Sequence, residues 1–240
     1  MRRLPGAEAA IAIICKAPVP GRSKTRLIPR LGAERAADLS RAFLTDLAAT
    51  VERVGARVGA RGYAVCSPAE AAEALAAFLP ASFGYAIHTD PVLGRVLDAA
   101  AADLIGRGHE SAILVNGDSP TLPEAALEGA VAALRRPGDR AVFGPALDGG
   151  YTLVGLKRRE PRLFADISWS TPAVMAQSRA AAAAAGLAVE EVAPWYDVDD
   201  AESLGWLAGE LAGRPPAGLA LRGAPAPATR AVLRAAGILA

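Results

Sequence analysis

Short apolar runs alternate with longer helical stretches along this chain, and that rhythm constrains the fold more than any other feature. The runs are 10–15 (AIAIIC), 62–66 (GYAVC), 84–88 (GYAIH), 111–116 (SAILVN), 140–144 (RAVFG) and 150–155 (GYTLVG). Between them lie helix candidates at 33–54, 68–79, 92–107 and 123–135. In the first of these, Leu39, Phe43, Leu44, Leu47 and Val51 share one face at three-to-four spacing. Strand followed by helix, repeated, predicts an α/β fold with a mostly parallel sheet covered by helices. After residue 145 the pattern changes. A Gly-rich hairpin-like segment and a loop (160–171) precede an Ala-rich helix (172–185), a strand (187–192), an acidic turn and a helix (201–212). Residues 214–228 read as a Pro/Gly/Ala-rich linker and 229–239 as a short amphipathic helix. The expected organisation is a main domain over 1–212, then a linker and C-terminal helix over 213–240.

The 240 residues suit a single core. Hydrophobic residues make up 52%, but 57 of the residues are Ala, so the chain is less greasy than that figure suggests. A net charge of +1 argues against a global grip on nucleic acid. No apolar run approaches the ~20 residues of a membrane span, and the run at 9–15 is too short for a signal-peptide core with a cleavage site. Two cysteines, Cys15 and Cys66, make neither a disulfide framework nor a structural zinc site. Buried free thiols and a cytoplasmic protein are the expectation.

In open parallel sheets, ligands bind beyond the carboxyl ends of the strands, so the polar residues after each run matter most. After the first run, Lys16, Arg22, Lys24 and Arg26 fall within eleven residues, with Gly21 among them. Lys and Arg are the donors phosphate needs, and Gly lets a backbone approach it. The loop is not a P-loop, because its required glycines would fall on Ser23 and Pro18. Next, Asn116-Gly117-Asp118-Ser119-Pro120 puts a carboxylate at a buried strand tip. Hard cations such as Mg²⁺ or Mn²⁺ take such oxygen ligands and bridge phosphates; the other reading of Asp118 is a cap on the helix near Pro123. Asp148-Gly149-Gly150 makes a turn with room for a bulky ligand. Ser170 and Thr171 are N-cap candidates as much as ligand contacts. In Tyr196-Asp197-Val198-Asp199-Asp200, carboxylates repel one another without a cation nearby. Asp199 is the expected partner of Asp118 on one metal, while Asp199 or Asp200 could equally cap the helix from 201. His88 and His109 lack ligand spacing and read as structural or surface residues.

Together the strings KAPVPGRSKTRL, PVLGRVLDAA, NGDSPTLP, GPALDGGYTLVGL, FADISWST and YDVDDAESL, in this order, resemble one bacterial family over roughly residues 10–208. Its members are known as glycosyltransferase-like or radical-SAM/selenodomain-associated transferases. The family resembles a branch of the nucleotide-diphospho-sugar transferase (GT-A, Rossmann-like, three-layer) fold, with phospholactate guanylyltransferase and molybdenum cofactor guanylyltransferase among its relatives. The resemblance implies metal-binding roles for Asp118 and Asp199, and a triphosphate-holding role for Lys16–Arg26. It also implies a place for Arg95 near the site and an acceptor-side role for Asp148, Gly149 and Gly150. One loop and two single residues depart from the family. Pro18-Val19-Pro20-Gly21 replaces the Gly-x-Gly-x-Arg loop, Asp200 replaces a usual Thr, and Thr152 a common second Tyr.

The resulting expectation is a Mg²⁺- or Mn²⁺-dependent nucleotidylyltransferase that joins an NTP to a small phosphorylated or anionic acceptor and releases pyrophosphate. Lys24, Asp118 and Asp199 would be catalytic; Lys16, Gly21, Arg22, Lys24 and Arg26 would bind phosphate. Arg95, Ser119, Asp148, Gly149, Gly150, Ser170 and Thr171 would contact substrate. The rival is glycosyl transfer from a nucleotide-diphospho-sugar, with the same fold and metal. A third reading is a non-catalytic nucleotide-binding module. Nucleic acid and membrane are not expected partners.

Overall fold

A computed structural model describes residues 8–239; the outermost parts of the two expected ranges, 1–7 and 240, lie outside the described residues. Seven strands form one sheet: β1 (Ala9–Ile14), β2 (Ala60–Cys66), β3 (Gly84–Ile87), β4 (Ala112–Asn116), β5 (Arg140–Pro145), β6 (Tyr151–Leu156) and β7 (Ala188–Glu191). The helices are α1 (Ile28–Leu31), α2 (Ala33–Val58), α3 (Glu70–Ala76), α4 (Leu93–Gly106), α5 (Glu124–Arg135), α6 (Val174–Ala184), α7 (Ala201–Leu211) and α8 (Pro227–Ala235). The strand order is β3-β2-β1-β4-β6-β5-β7. All neighbouring pairs are parallel except those involving β6, which runs antiparallel to both β4 and β5. The reason is local. A helix returns the chain between parallel strands, but only the short turn after Pro145 separates β5 from β6, and a short turn permits an antiparallel pair alone.

Strand parity sorts the core into two layers. Ile11, Ile13, Ile113 and Val115 face a cluster with Leu39, Phe43 and Leu47 of α2, Leu75 of α3, Leu127 and Val131 of α5, Leu204 and Leu207 of α7 and Leu233 of α8. Ala10, Ala12, Ala112 and Leu114 face the other cluster, with Leu97 and Leu104 of α4 and Met175 and Ala182 of α6. Both faces of the central strands are therefore covered, as a parallel sheet requires. The first long helix runs past the expected end at 54 to Val58, where Gly59 at φ 65 supplies the left-handed C-cap. The thiol of Cys66 is buried and that of Cys15 part-buried, and neither is in a disulfide. His109 bridges the Tyr63 hydroxyl and the Glu8 carbonyl at 2.8 and 2.9 Å. No helix among the described residues is long and apolar enough to cross a membrane.

The C-terminal helix packs against α2. Pro227 opens α8 and no side chain of its own caps it. Instead Asp46, buried on α2, accepts from the backbone N–H of Ala228 at 3.1 Å and of Thr229 at 2.7 Å. The carboxylate thus fills a capping role from another helix, where the dipole also favours negative charge. Burial raises the Asp46 pKa, and the two N–H groups oppose that rise. Replacing Asp46 by Ala should lower stability by about 1–2 kcal/mol. Chemical denaturation measures this, and a loss within about 0.5 kcal/mol would show that the cap contributes nothing.

Candidate functional site

Four loops meet at the carboxyl ends of the parallel strands. The crossing segment after β7 brings them together. Trp195 donates its N–H to Pro145 at 3.0 Å and accepts from Leu147 at 3.1 Å, beside β5. Three residues on, Val198 donates to the Asp118 carbonyl at 2.9 Å, beside β4. The segment 195–198 therefore passes over the end of β6, which lies between those two strands. Asp197 and Asp199 arrive next to Asp118 as a consequence. Gly117 lets the chain leave β4 against β1, since a Cβ there would stand 2.8 Å from the Ile14 carbonyl oxygen.

The loop after β1 is closed by the Val19 carbonyl, which accepts from Arg22 and Ser23 N–H at 3.0 Å each. The Ser23 hydroxyl oxygen accepts from Val19 N–H at 2.9 Å. Lys24 then adopts a left-handed backbone, φ 47 and ψ 47, a conformation that costs a non-glycine residue on the order of 1–2 kcal/mol. Its ammonium compensates. Nζ lies 2.6 Å from Asp118 Oδ1 and 3.0 Å from Asp199 Oδ1, and donates to the Val198 carbonyl at 2.6 Å. The Phe43 ring lies beneath, its centroid 5.4 Å away. The Lys24 side chain is only 5% exposed, against 38% for Asp118 and 46% for Asp199. Burial pulls the Lys24 pKa down, but the two carboxylates outweigh it and hold the pKa above the ordinary lysine value. Lys24 was expected both as a catalytic group and among the phosphate-binding cations. Its backbone turn sends the ammonium inward, to the carboxylates.

The remaining cations of that loop point the other way. Lys16, Arg22 and Arg26 are exposed, and Lys16 and Arg22 have no ion pair among the described residues. Arg26 acts on Asp200 only as a nearby charge. Gly21 sits at the loop's tip with φ 76 and open space around it. Arg95, third residue of α4, is 75% exposed and reaches Asp90 only at 3.8 Å. The Asp148 carboxylate accepts from Gly150 N–H at 2.8 Å. Gly149, at φ 90, is pressed against Pro172, where a Cβ would meet the carbonyl oxygen at 2.5 Å. Ser170 and Thr171 are exposed. Thr171 donates to the Ser168 carbonyl at 2.7 Å and accepts from Ala173 N–H at 3.3 Å, so it orders the approach to α6. Ser119 is a correction: its side chain is fully buried and cannot touch a substrate in this conformation.

The acidic segment divides its labour. Asp200 forms a capping box with Ser203 at the start of α7, which leaves Asp199 to the site. Asp118 caps nothing at α5, which begins at Glu124 after Pro123 without a side-chain cap. Sequence reading passed over Asp197, whose Oδ2 accepts from Asn116 Nδ2 at 3.2 Å. Its spacing was the available signal, because residues two apart in extended chain share a face, here with Asp199. Burial, then the charges of Asp148, Asp199 and Asp118, push the Asp197 pKa up to about 7. Burial pushes the Cys15 thiol far above its usual range, which removes it as a nucleophile. No group of three or more His, Cys, Asp or Glu among the described residues forms a metal cage by itself.

The raised Asp197 pKa has a definite sign. In the metal-free protein the native state holds a proton that the unfolded chain has lost between about pH 4 and 7. Stability should therefore fall as pH rises through that window. Asp197→Asn should flatten the profile and stabilise the protein at pH 8 by on the order of 1–2 kcal/mol. Parallel urea titrations at pH 5 and 8 check this, and an unchanged pH slope in the variant would remove Asp197 as its source.

Comparison with solved structures places this geometry on a known fold. A candidate nucleotide-diphospho-sugar transferase from Desulfovibrio desulfuricans G20 superposes with a TM-score of 0.80 at 28% identity, covering 95% of each chain. CMP:2-keto-3-deoxy-manno-octonic acid synthetase complexed with CTP shares the fold at a TM-score of 0.56 and 12% identity, over 86% of this chain and 99% of that one. So does 4-diphosphocytidyl-2C-methyl-D-erythritol synthase from Anaerococcus prevotii DSM 20548, at 0.54 and 12%, over 82% and 93%. The sheet is thus the nucleotide-diphospho-sugar transferase, Rossmann-like one that the sequence resemblance implied. No curated protein matches the sequence. Residues 50–171 match a family described as an uncharacterized protein conserved in bacteria, and the chain belongs to that family, DUF2064.

Proposed function

We propose that this protein is a metal-dependent nucleotidylyltransferase that transfers NMP from an NTP to a small phosphorylated or anionic acceptor, releasing pyrophosphate. The observation that carries this reading is the convergence of Asp118 and Asp199 on one cation beneath a loop of exposed cations. Two cytidylyl-transferring enzymes share the fold. The donor set also suits a hard divalent ion. Both carboxylates have solvent-facing oxygen, and Lys24 approaches them from the protein side. A carboxylate has about four lone-pair sites, so one ammonium does not saturate them. Mg²⁺ usually takes one or two protein carboxylates and completes its shell with water and phosphate. When bound, such an ion supplies charge neutralisation on phosphate oxygens.

The chain's own groups do the rest. Lys16, Arg22 and Arg26 receive phosphate oxygens, and Gly21 leaves room for them at the loop tip. Lys24 keeps Asp118 and Asp199 from repelling each other. It also places a positive charge next to the phosphates, where pyrophosphate leaves. Arg95 and the turn at Asp148, Gly149 and Gly150 face the acceptor. No protein nucleophile is needed, because alignment and charge stabilisation suffice for transfer at phosphorus. Glycosyl transfer is the second reading, favoured by the 28% identity to a candidate nucleotide-diphospho-sugar transferase.

A thermal-shift screen separates the two. ATP, GTP, CTP and UTP are compared with UDP- and GDP-sugars, each with and without Mg²⁺ or Mn²⁺. A ligand at about 100 times its Kd stabilises by ~2.7 kcal/mol, which is about 5–10 °C at this size. A metal-dependent shift with one NTP supports nucleotidylyl transfer; a shift with sugar nucleotides alone supports glycosyl transfer. Asp118→Ala should then lose about 10²-fold or more in turnover while its unfolding transition stays intact. Near-normal turnover would exclude Asp118 from the metal role.

A further inference from the structure

Behind the site, two buried hydroxyls from distant parts of the chain meet at one carboxylate. Glu210, on the last turn of α7, accepts at Oε2 from the Thr121 hydroxyl at 2.7 Å and from the Tyr196 hydroxyl. Thr121 in turn accepts from Trp195 Nε1 at 3.3 Å. Thr121, Trp195 and Tyr196 are all essentially excluded from solvent. Thr121 lies three residues after Asp118, and Tyr196 lies three before Asp199. The aromatic packing has the same origin: Trp206, one turn before Glu210, meets the Tyr196 ring edge-on at 6.0 Å, and Tyr196 stacks on Trp195 at 5.4 Å. From the other side, Ala224 donates to the Thr121 carbonyl at 3.0 Å, so the segment leading to α8 braces the same point. Arg230 of α8 is a further charge near Glu210.

We propose that Glu210 is a positioning residue: its carboxylate ties the loop of Asp118 to the segment of Asp199 and so fixes the separation that Lys24 bridges. This rests on the reading of Asp118 and Asp199 as the paired carboxylates of the site. The chemistry is simple. Both hydroxyls belong to side chains excluded from solvent, so they have to find an acceptor in the protein. A side chain at 210 without one sends them to other partners, and the two loops move relative to each other. Glutamine keeps an acceptor oxygen at the same reach, so it preserves the tie where alanine does not.

The chain's scarcity of lysine makes the test direct. Lys16, Lys24 and Lys157 are the only three. Lys24 is buried and hydrogen-bonded, Lys16 is exposed, and Lys157 donates to the carbonyls of Arg136 and Gly138 at 2.8 and 3.0 Å, on another part of the sheet. A ¹H–¹⁵N spectrum of the lysine ammonium groups, assigned with Lys157→Arg, reports on Lys24 with Lys157 as internal control. Glu210→Ala should shift or abolish the Lys24 signal and leave that of Lys157 in place, whereas Glu210→Gln should retain both. Calorimetry with Mn²⁺ and inorganic tripolyphosphate should show affinity weakened about 10-fold or more in Glu210→Ala and little changed in Glu210→Gln. An unchanged Lys24 signal in folded Glu210→Ala overturns the proposal, as does loss of the signal in Glu210→Gln. If Glu210→Ala does not fold, Tyr196→Phe decides: it deletes one hydroxyl only, should shift the Lys24 signal, and overturns the proposal if it does not. If the wild-type protein binds no tripolyphosphate, the nucleotide reading fails, and the ammonium spectrum still decides whether Glu210 positions the pair.

Discussion

The ammonium of Lys24 between Asp118 and Asp199 is the interaction on which the site depends. Two carboxylates at that spacing repel each other, and a buried lysine is costly without counter-charge. Each solves the other's problem, and the Val198 carbonyl accepts a further hydrogen bond from the ammonium. The three partners come from the loop after β1, the loop after β4 and the segment after β7. Only the strand order makes them neighbours. It sets β1 beside β4, and the crossing segment spans from β5 to β4 over the antiparallel β6. A hairpin in place of a helical crossover is therefore part of how the second carboxylate arrives.

Much of this was legible in the chain. The apolar runs found the strands because buried parallel strands are nearly continuous in hydrophobicity. The change of rhythm after residue 145 marked the antiparallel pair, because Asp148-Gly149-Gly150 leaves too few residues for a helix. Asp118 was legible as a polar residue at a strand end, and Asp199 as a carboxylate of the acidic turn before the helix from 201. What the sequence concealed depends on backbone direction and long-range packing. Nothing local says that Lys24 turns inward while Lys16, Arg22 and Arg26 stay outside; a single left-handed residue decides it. Ser119 looked like Asp118's companion, yet the same turn that presents the carboxylate buries the hydroxyl. Asp197 went unread because its spacing from Asp199 means a shared face only if the segment is extended, which the acidic run alone does not say. Asp46 was invisible as a cap because its helix, α8, begins far along the chain.

The C-terminal segment belongs in the same account. Composition marks 214–228 as a linker, since it has little to bury and much Pro and Gly. Its backbone nonetheless makes a specific contact through Ala224 and Thr121, and Leu233 of α8 is fully buried in the core layer that holds α2. Such a segment spends few apolar side chains, yet it lies against the back of the loop that carries Asp118.

Charge is layered in depth at the open end of the sheet. The inner layer is acidic, with Asp118 and Asp199 only partly offset by Lys24, while the exposed layer carries Lys16, Arg22 and Arg26. Across the whole chain these cancel to a net charge of +1, which hides the separation. A free divalent cation would meet the repulsion of the exposed cations, and a free polyphosphate that of the carboxylates. On the proposed reading, a polyphosphate that already carries its metal would present both signs in the order the site presents theirs, cation toward the carboxylates and phosphate toward the exposed cations. Complementarity of that kind would favour the joint ligand over either part, and a net charge near zero conceals it.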